Sequence, residues 1–162
     1  MLYDVLDVCR YVIYYSEKKD YGISNLKLQK ILYFVQAYFM LENKDHAPCF
    51  YEKIEAWDFG PVVPEAYKVY ARFGGCDLHV AESDIDIDED DHRNFHGLRY
   101  YDIIDNFDKE LINRVIDRFA DYTATDLVSL TLCQRPWKDA YNPYQINEIT
   151  TNAIRRYFSA AK

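Results

Sequence analysis

Residues 25–43 read NLKLQKILYFVQAYFMLEN, and the reading of this stretch decides the fold. Gly22 closes the connection before it, and Ser24 stands where a helix wants a capping hydroxyl. From Ile31 to Leu41 only Gln36 interrupts an apolar run, so this half of the helix is hydrophobic almost all round. Such a helix belongs at the centre of a fold, covered on several faces. The run is eleven residues long, against the roughly twenty that a membrane crossing needs. It predicts a buried core helix over about Asn25–Asn43.

On its N-terminal side, Leu2, Val5, Leu6, Cys9, Val12 and Ile13 fall at helical spacing and predict an amphipathic helix. On its C-terminal side, residues 51–57 (YEKIEAW) read as a short extended piece that leads into Gly60-Pro61-Val62-Val63-Pro64. Pro64 suits the first turn of a helix carrying Ala66, Tyr67, Val69, Tyr70 and Phe73, which Gly74-Gly75 would stop. Phe107, Leu111, Val115 and Phe119 recur every fourth residue. Residues 123–126 (TATD) match a capping box that opens a helix through Leu127, Val128 and Leu130, limited by Pro136. A last helix is expected over about Glu148–Ala160, with Ile149, Ala153 and Tyr157 inward. The fold class is therefore mainly α: a single domain over residues 1–162, of about six helices. It carries a short extended element near 51–57 and an irregular acidic loop or small hairpin near 76–105.

Composition narrows the function. Nearly half of the residues are hydrophobic and sixteen are tyrosine, enough for a real core with amphipathic contact area left over. The net charge of −8 is concentrated in residues 82–91 (ESDIDIDEDD), which hold seven acidic side chains and no basic ones. The rest of the chain is close to neutral, so no basic face for nucleic acid is expected. Cys9, Cys49, Cys76 and Cys133 are scattered without a C-x-x-C, and no charged-then-apolar leader is read. The expectation is a soluble, cytoplasmic protein.

Chemistry is thinly signposted. There is no nucleophile elbow, no phosphate-cradling glycine loop and no H-E-x-x-H. Cys76, His79, His92 and His96 have the spacing of a zinc finger with one cysteine replaced by histidine. The twelve-residue spacer, however, carries seven carboxylates in place of the apolar residues a finger packs on. Asp84, Asp86 and Asp88 begin like a calcium loop, but Glu89 and Phe95 stand where glycine and a bidentate glutamate are needed. No metal or cofactor is expected, and a metal-dependent enzyme built on residues 76–96 is the weakest of the readings.

Two blocks resemble a known family. The first is residues 26–34 (LKLQKILYF) with Gln36-Ala37-Tyr38; the second is residues 54–64 (IEAWDFGPVVP) with Tyr67 and Tyr70. In this order and spacing they resemble the Panacea domain of SocA-like antitoxins and of GepA-type phage-associated proteins. The residues that match its motif are Leu28, Gln29, Lys30, Tyr33, Trp57, Gly60, Pro61, Val62 and Pro64, with Pro136 and Trp137 further on. Family members often carry a Thr-His pair before the Pro-Trp, whereas residues 131–135 here read TLCQR.

The resemblance implies a helical, non-enzymatic protein that neutralises a cognate toxin by direct binding, in one branch by presenting it to a protease. An alternative is a phage or mobile-element accessory protein that binds a host protein. Trp57, Phe59, Tyr67 and Tyr70 are the candidate partner contacts, although clustered aromatics and prolines more often pack. Asp84, Asp86 and Asp88 are added to them, because an acidic loop would steer a basic partner toward the protein. Lys27 and Lys30 are expected to be solvated or paired with a carboxylate such as Glu55 or Asp58. Trp57 is expected to cover the buried helix while its N–H finds a carbonyl.

Overall fold

The structure is a computed structural model that describes residues 1–80 and 103–161. Helix α1 (Val5–Lys18) begins at Asp4, whose carboxylate accepts a hydrogen bond from the backbone N–H of Leu6. Its stripe of Val5, Val8, Cys9, Val12 and Ile13 is buried, whereas Leu2 precedes the helix and is exposed. Helix α2 (Asn25–Glu42) starts at the predicted cap, with the Ser24 hydroxyl accepting from the Lys27 N–H. It runs through the middle of the molecule, against α1, α3 (Pro64–Tyr70), α4 (Asn106–Arg118), α5 (Ala124–Leu132) and α7 (Thr151–Ala160). That is why it is apolar all round.

Aromatic rings fill the seams around α2. Phe34 stacks on Phe119 of the α4 terminus at 4.3 Å between ring centres, and Tyr33 meets Phe158 of α7 edge-on at 5.8 Å. Two caps form in the C-terminal half: Asp105 opens α4, and the predicted Thr123–Asp126 box opens α5 reciprocally. Phe107 is exposed, so only Leu111, Val115 and Phe119 of the fourfold repeat reach the core.

A three-stranded antiparallel sheet in the order β2-β1-β3 lies beside the helices. Strand β1 (Ile54–Trp57) pairs with β2 (Gly60–Val62) through a tight turn at Asp58-Phe59, with Trp57 opposite Gly60. Among the described residues only Asp20 and His46 are non-glycine positions with positive φ, so both turn residues keep ordinary backbone. Gly60 takes the positive φ, +105°, that closes the hairpin. On its other side β1 pairs with β3 (Asn147–Ile149). After α3, a single 3₁₀ turn (Ala71–Phe73) reaches Gly74, as the paired glycines predicted.

Three details differ from the sequence reading. Seven α-helices are present among the described residues, because Pro136 does not merely limit α5. It occupies the second position of a further short helix, α6 (Arg135–Ala140), where its missing N–H costs nothing. Glu148 and Ile149 are strand residues and not the start of the last helix, because α7 is capped by the Thr150 hydroxyl at Ala153 N–H. Its innermost residue is accordingly Ile154, with Ala153 and Tyr157 only half-buried. The expected acidic loop or hairpin lies, for the most part, outside the described residues. No described helix is long and apolar enough to cross a membrane.

Candidate functional site: an aromatic groove at the hairpin

The site begins with the polar side chains of α2, most of which grip main chain. Gln36 donates to the Phe50 carbonyl at 2.8 Å and accepts from the N–H groups of Cys49 (2.8 Å) and Phe50 (3.2 Å). Gln29 accepts from the Val63 N–H at 3.0 Å, and Asn25 donates to the Tyr67 carbonyl at 3.2 Å. Tyr33 donates to the side chain of Gln134. The two sequence blocks singled out above are thus bonded to each other, helix side chain to hairpin backbone.

Lys30 is the unexpected member. It is 0% exposed, and among the described residues its ammonium meets no carboxylate; it donates to the Pro61 carbonyl at 2.9 Å. Lys27 likewise donates to a carbonyl, that of Ala120. Both corrections have one cause. A main-chain carbonyl has two lone pairs, and a long side chain can reach the spare one without a buried counter-ion.

Burial pulls the Lys30 amine down from its ordinary 10.5 to about 7. The charged form is penalised in the folded state and not in the unfolded one. That penalty is complete below about pH 7 and fades as pH climbs toward 10.5. Relative to Lys30→Met, the native protein is therefore expected to gain about 2 kcal/mol of stability between pH 6 and pH 9. Denaturant titrations of both proteins across that range give the answer, and parallel profiles would refute it.

The gripped hairpin carries the groove. Trp57 meets Tyr67 of α3 edge-on at 5.0 Å and 63°. The Trp57 indole N–H goes to the Glu55 carboxylate at 2.7 Å and not to a carbonyl; it is Trp137 of α6 that donates to a carbonyl, that of Trp57, at 2.8 Å. Trp137 in turn stacks on Tyr141 at 4.5 Å, and the Tyr141 hydroxyl donates to Asp58 at 2.6 Å. Asp58 thereby holds the Tyr141 proton and pushes its titration upward.

Facing the hairpin is the segment from Tyr141 to Ile146, folded by Asn142, whose side chain accepts from the Tyr144 N–H. Between the hairpin, α3 and this segment lies a groove of about 710 Å³. Its walls present Phe59 (67% exposed), Tyr144 (96%) and Ile146 (63%). Trp57 and Tyr67 form its half-buried floor, and Gly74 and Gly75 lie at its edge.

The structure brings three of the expected contacts, Trp57, Phe59 and Tyr67, into this one groove. Tyr70 is 2% exposed and belongs to the core, which leaves it no surface for a partner. Asp84, Asp86 and Asp88 lie outside the described residues, as do His92 and His96. Cys76 is exposed, and His79 sits 3.5 Å from Glu17. Sequence reasoning missed Tyr141, Tyr144 and Ile146. Their signal was an unpatterned Tyr-Asn-Pro-Tyr-Gln-Ile stretch, with too many aromatics for a plain turn.

The remaining motif residues are structural. Leu28 lies in the core, Pro61 and Val62 are buried in β2, Pro64 starts α3, and Pro136 is buried in the first turn of α6. The buried Gln134 accepts the Tyr33 hydroxyl hydrogen bond.

The chain is 42% identical over 55 residues to the antitoxin SocA of Caulobacter vibrioides, a stretch covering 34% of this chain and 28% of that protein. No solved structure matches it. The family model described as antitoxin SocA-like, Panacea domain, matches residues 28–138, which takes in α2 from Leu28 onward, the hairpin, α3 and Trp137. The chain belongs to the SocA-like antitoxin family and carries its Panacea domain.

Proposed function

We propose that this protein is an antitoxin that neutralises a partner toxin by direct contact, and that the aromatic groove at the hairpin is the contact surface. The observation that carries the reading is the convergence of Phe59, Tyr144 and Ile146 on one concave site. A protein leaves that much apolar surface in one place mainly where something covers it. Large aromatic anchors in a concave, partly dry site are also the residues that dominate protein–protein affinity. Delivery of the bound toxin to a protease would use the same contact and add a second surface.

The test is co-expression. The product of the neighbouring open reading frame is induced alone and then with this protein, with growth and co-purification followed. Growth arrest relieved by a co-purifying complex supports the reading. Phe59→Glu places a charge in the apolar wall and should weaken the complex by about 30-fold or more, with growth arrest returning. Because Phe59 is solvent-exposed, the variant should keep its melting temperature. A variant that melts normally and still neutralises fully rules the groove out as the contact surface. No arrest and no complex rule out the neighbour as the toxin.

A further inference from the structure

The charge inside the groove is one-sided. Among the described residues, Asp58 is the single charged side chain lining the groove, and no lysine, arginine or histidine lines it. One Asp58 oxygen accepts from Tyr141, and no ion pair among the described residues uses this carboxylate. A second carboxylate, Glu55, is bonded to the Trp57 indole N–H, so that ring carries anionic charge at its edge. The ring is half-buried and backed by Tyr67. Indole is the aromatic face that attracts cations best.

An occupant that is wholly apolar would cover the walls but strip water from Asp58 without replacing it, which is costly. An acidic occupant would add repulsion. A cation removes the cost twice, by pairing with the carboxylate and by lying on the indole face.

We propose that the groove takes a segment of its protein partner in which apolar side chains flank a lysine or arginine, with the cation set between Asp58 and the Trp57–Tyr67 pair. The inference rests on the groove being the docking surface and goes beyond it by fixing the chemistry of what docks. The apolar flanks fill the space beside Phe59, Tyr144 and Ile146. The basic residue fixes register, since among the described residues only one place in the groove holds a charge.

The test needs no knowledge of the partner. A displayed library of random eight-residue peptides is selected on the full-length protein, and the strongest sequences are synthesised. Binding is then followed by tryptophan fluorescence. The chain has two tryptophans, Trp57 in the floor and Trp137 bonded behind it, so both report on this site.

The expected result is enrichment of a lysine or arginine between apolar residues. Replacing that cation by glutamine should weaken binding at least about tenfold to the native protein and under about threefold to Asp58→Asn. Phe59→Glu should abolish binding. Selected peptides without basic residues, an equal loss on both proteins, or no fluorescence-detected binder would overturn the proposal. So would self-association in sedimentation that Ile146→Glu removes, since the occupant would then be a second copy of the chain. Peptides that obey the charge rule while Phe59→Glu still neutralises in cells would leave the groove chemistry standing and sink the antitoxin contact. The reverse pattern would do the opposite.

Discussion

Replacing Gln36 with methionine should lower the unfolding free energy by about 3–5 kcal/mol, since each buried polar group left without a partner costs about 1–3 kcal/mol. Three such groups are at stake, the Cys49 and Phe50 N–H donors and the Phe50 carbonyl, all answered by the one fully buried amide. Methionine nearly matches glutamine in volume, so the loss cannot be assigned to a cavity. The same region also holds the N-terminus, where Tyr3 donates its backbone N–H to the Cys49 carbonyl and its hydroxyl to Asp108. The effect should therefore extend beyond the 49–50 segment. Denaturant midpoints at unchanged slope would measure it, and a loss below about 1 kcal/mol would show that relaxation or water answers those groups.

Gly60→Ala is the second large effect. At φ +105° an L-residue is strained whatever the space, and here there is none. A Cβ would come within 2.8 Å of the Thr131 hydroxyl and 3.0 Å of Lys30 Cε. Neither neighbour swings away freely. Thr131 is buried and bonded to the carbonyls of Leu127 and Val128, and Lys30 is tied to Pro61. Strain and clash together should cost about 2–4 kcal/mol. Thr131→Ala made in the same chain removes the closest clash and not the strain, so the double variant should recover part of the loss. Simple additivity of the two changes would mean that the packing beneath Gly60 gives more than its hydrogen bonds suggest.

Most of the architecture is legible in the residues because helix ends and helix faces have local signatures. Ser24, Thr123 with Asp126, and Pro64 all mark the starts they predicted. Strand β3 was illegible: three residues cannot show a period of two, and its partner lies some ninety residues earlier. The start of α7 at Thr150 was misplaced because the apolar Ile149 just before it mimics a helix face. The roles of Lys30, Gln29 and Gln36 were hidden for a deeper reason. Their partners are backbone groups, which every residue carries, and no side chain in the sequence announces them. Half of the groove was found from Trp57, Phe59 and Tyr67. The other half comes from residues 141–146, which no periodicity connects to the hairpin.

The same anonymity of the backbone has a consequence for how such a protein diversifies. The side chains of α2 and α6 fix the course of the surrounding chain by holding its amides and carbonyls at Cys49, Phe50, Trp57, Pro61, Val63 and Tyr67. What they grip is the same for nearly any amino acid placed there. Outward side chains such as Phe59, Tyr144 and Ile146 take little part in that grip. They are free to be exchanged, and a lineage could retune what it recognises one residue at a time while its scaffold stayed unchanged.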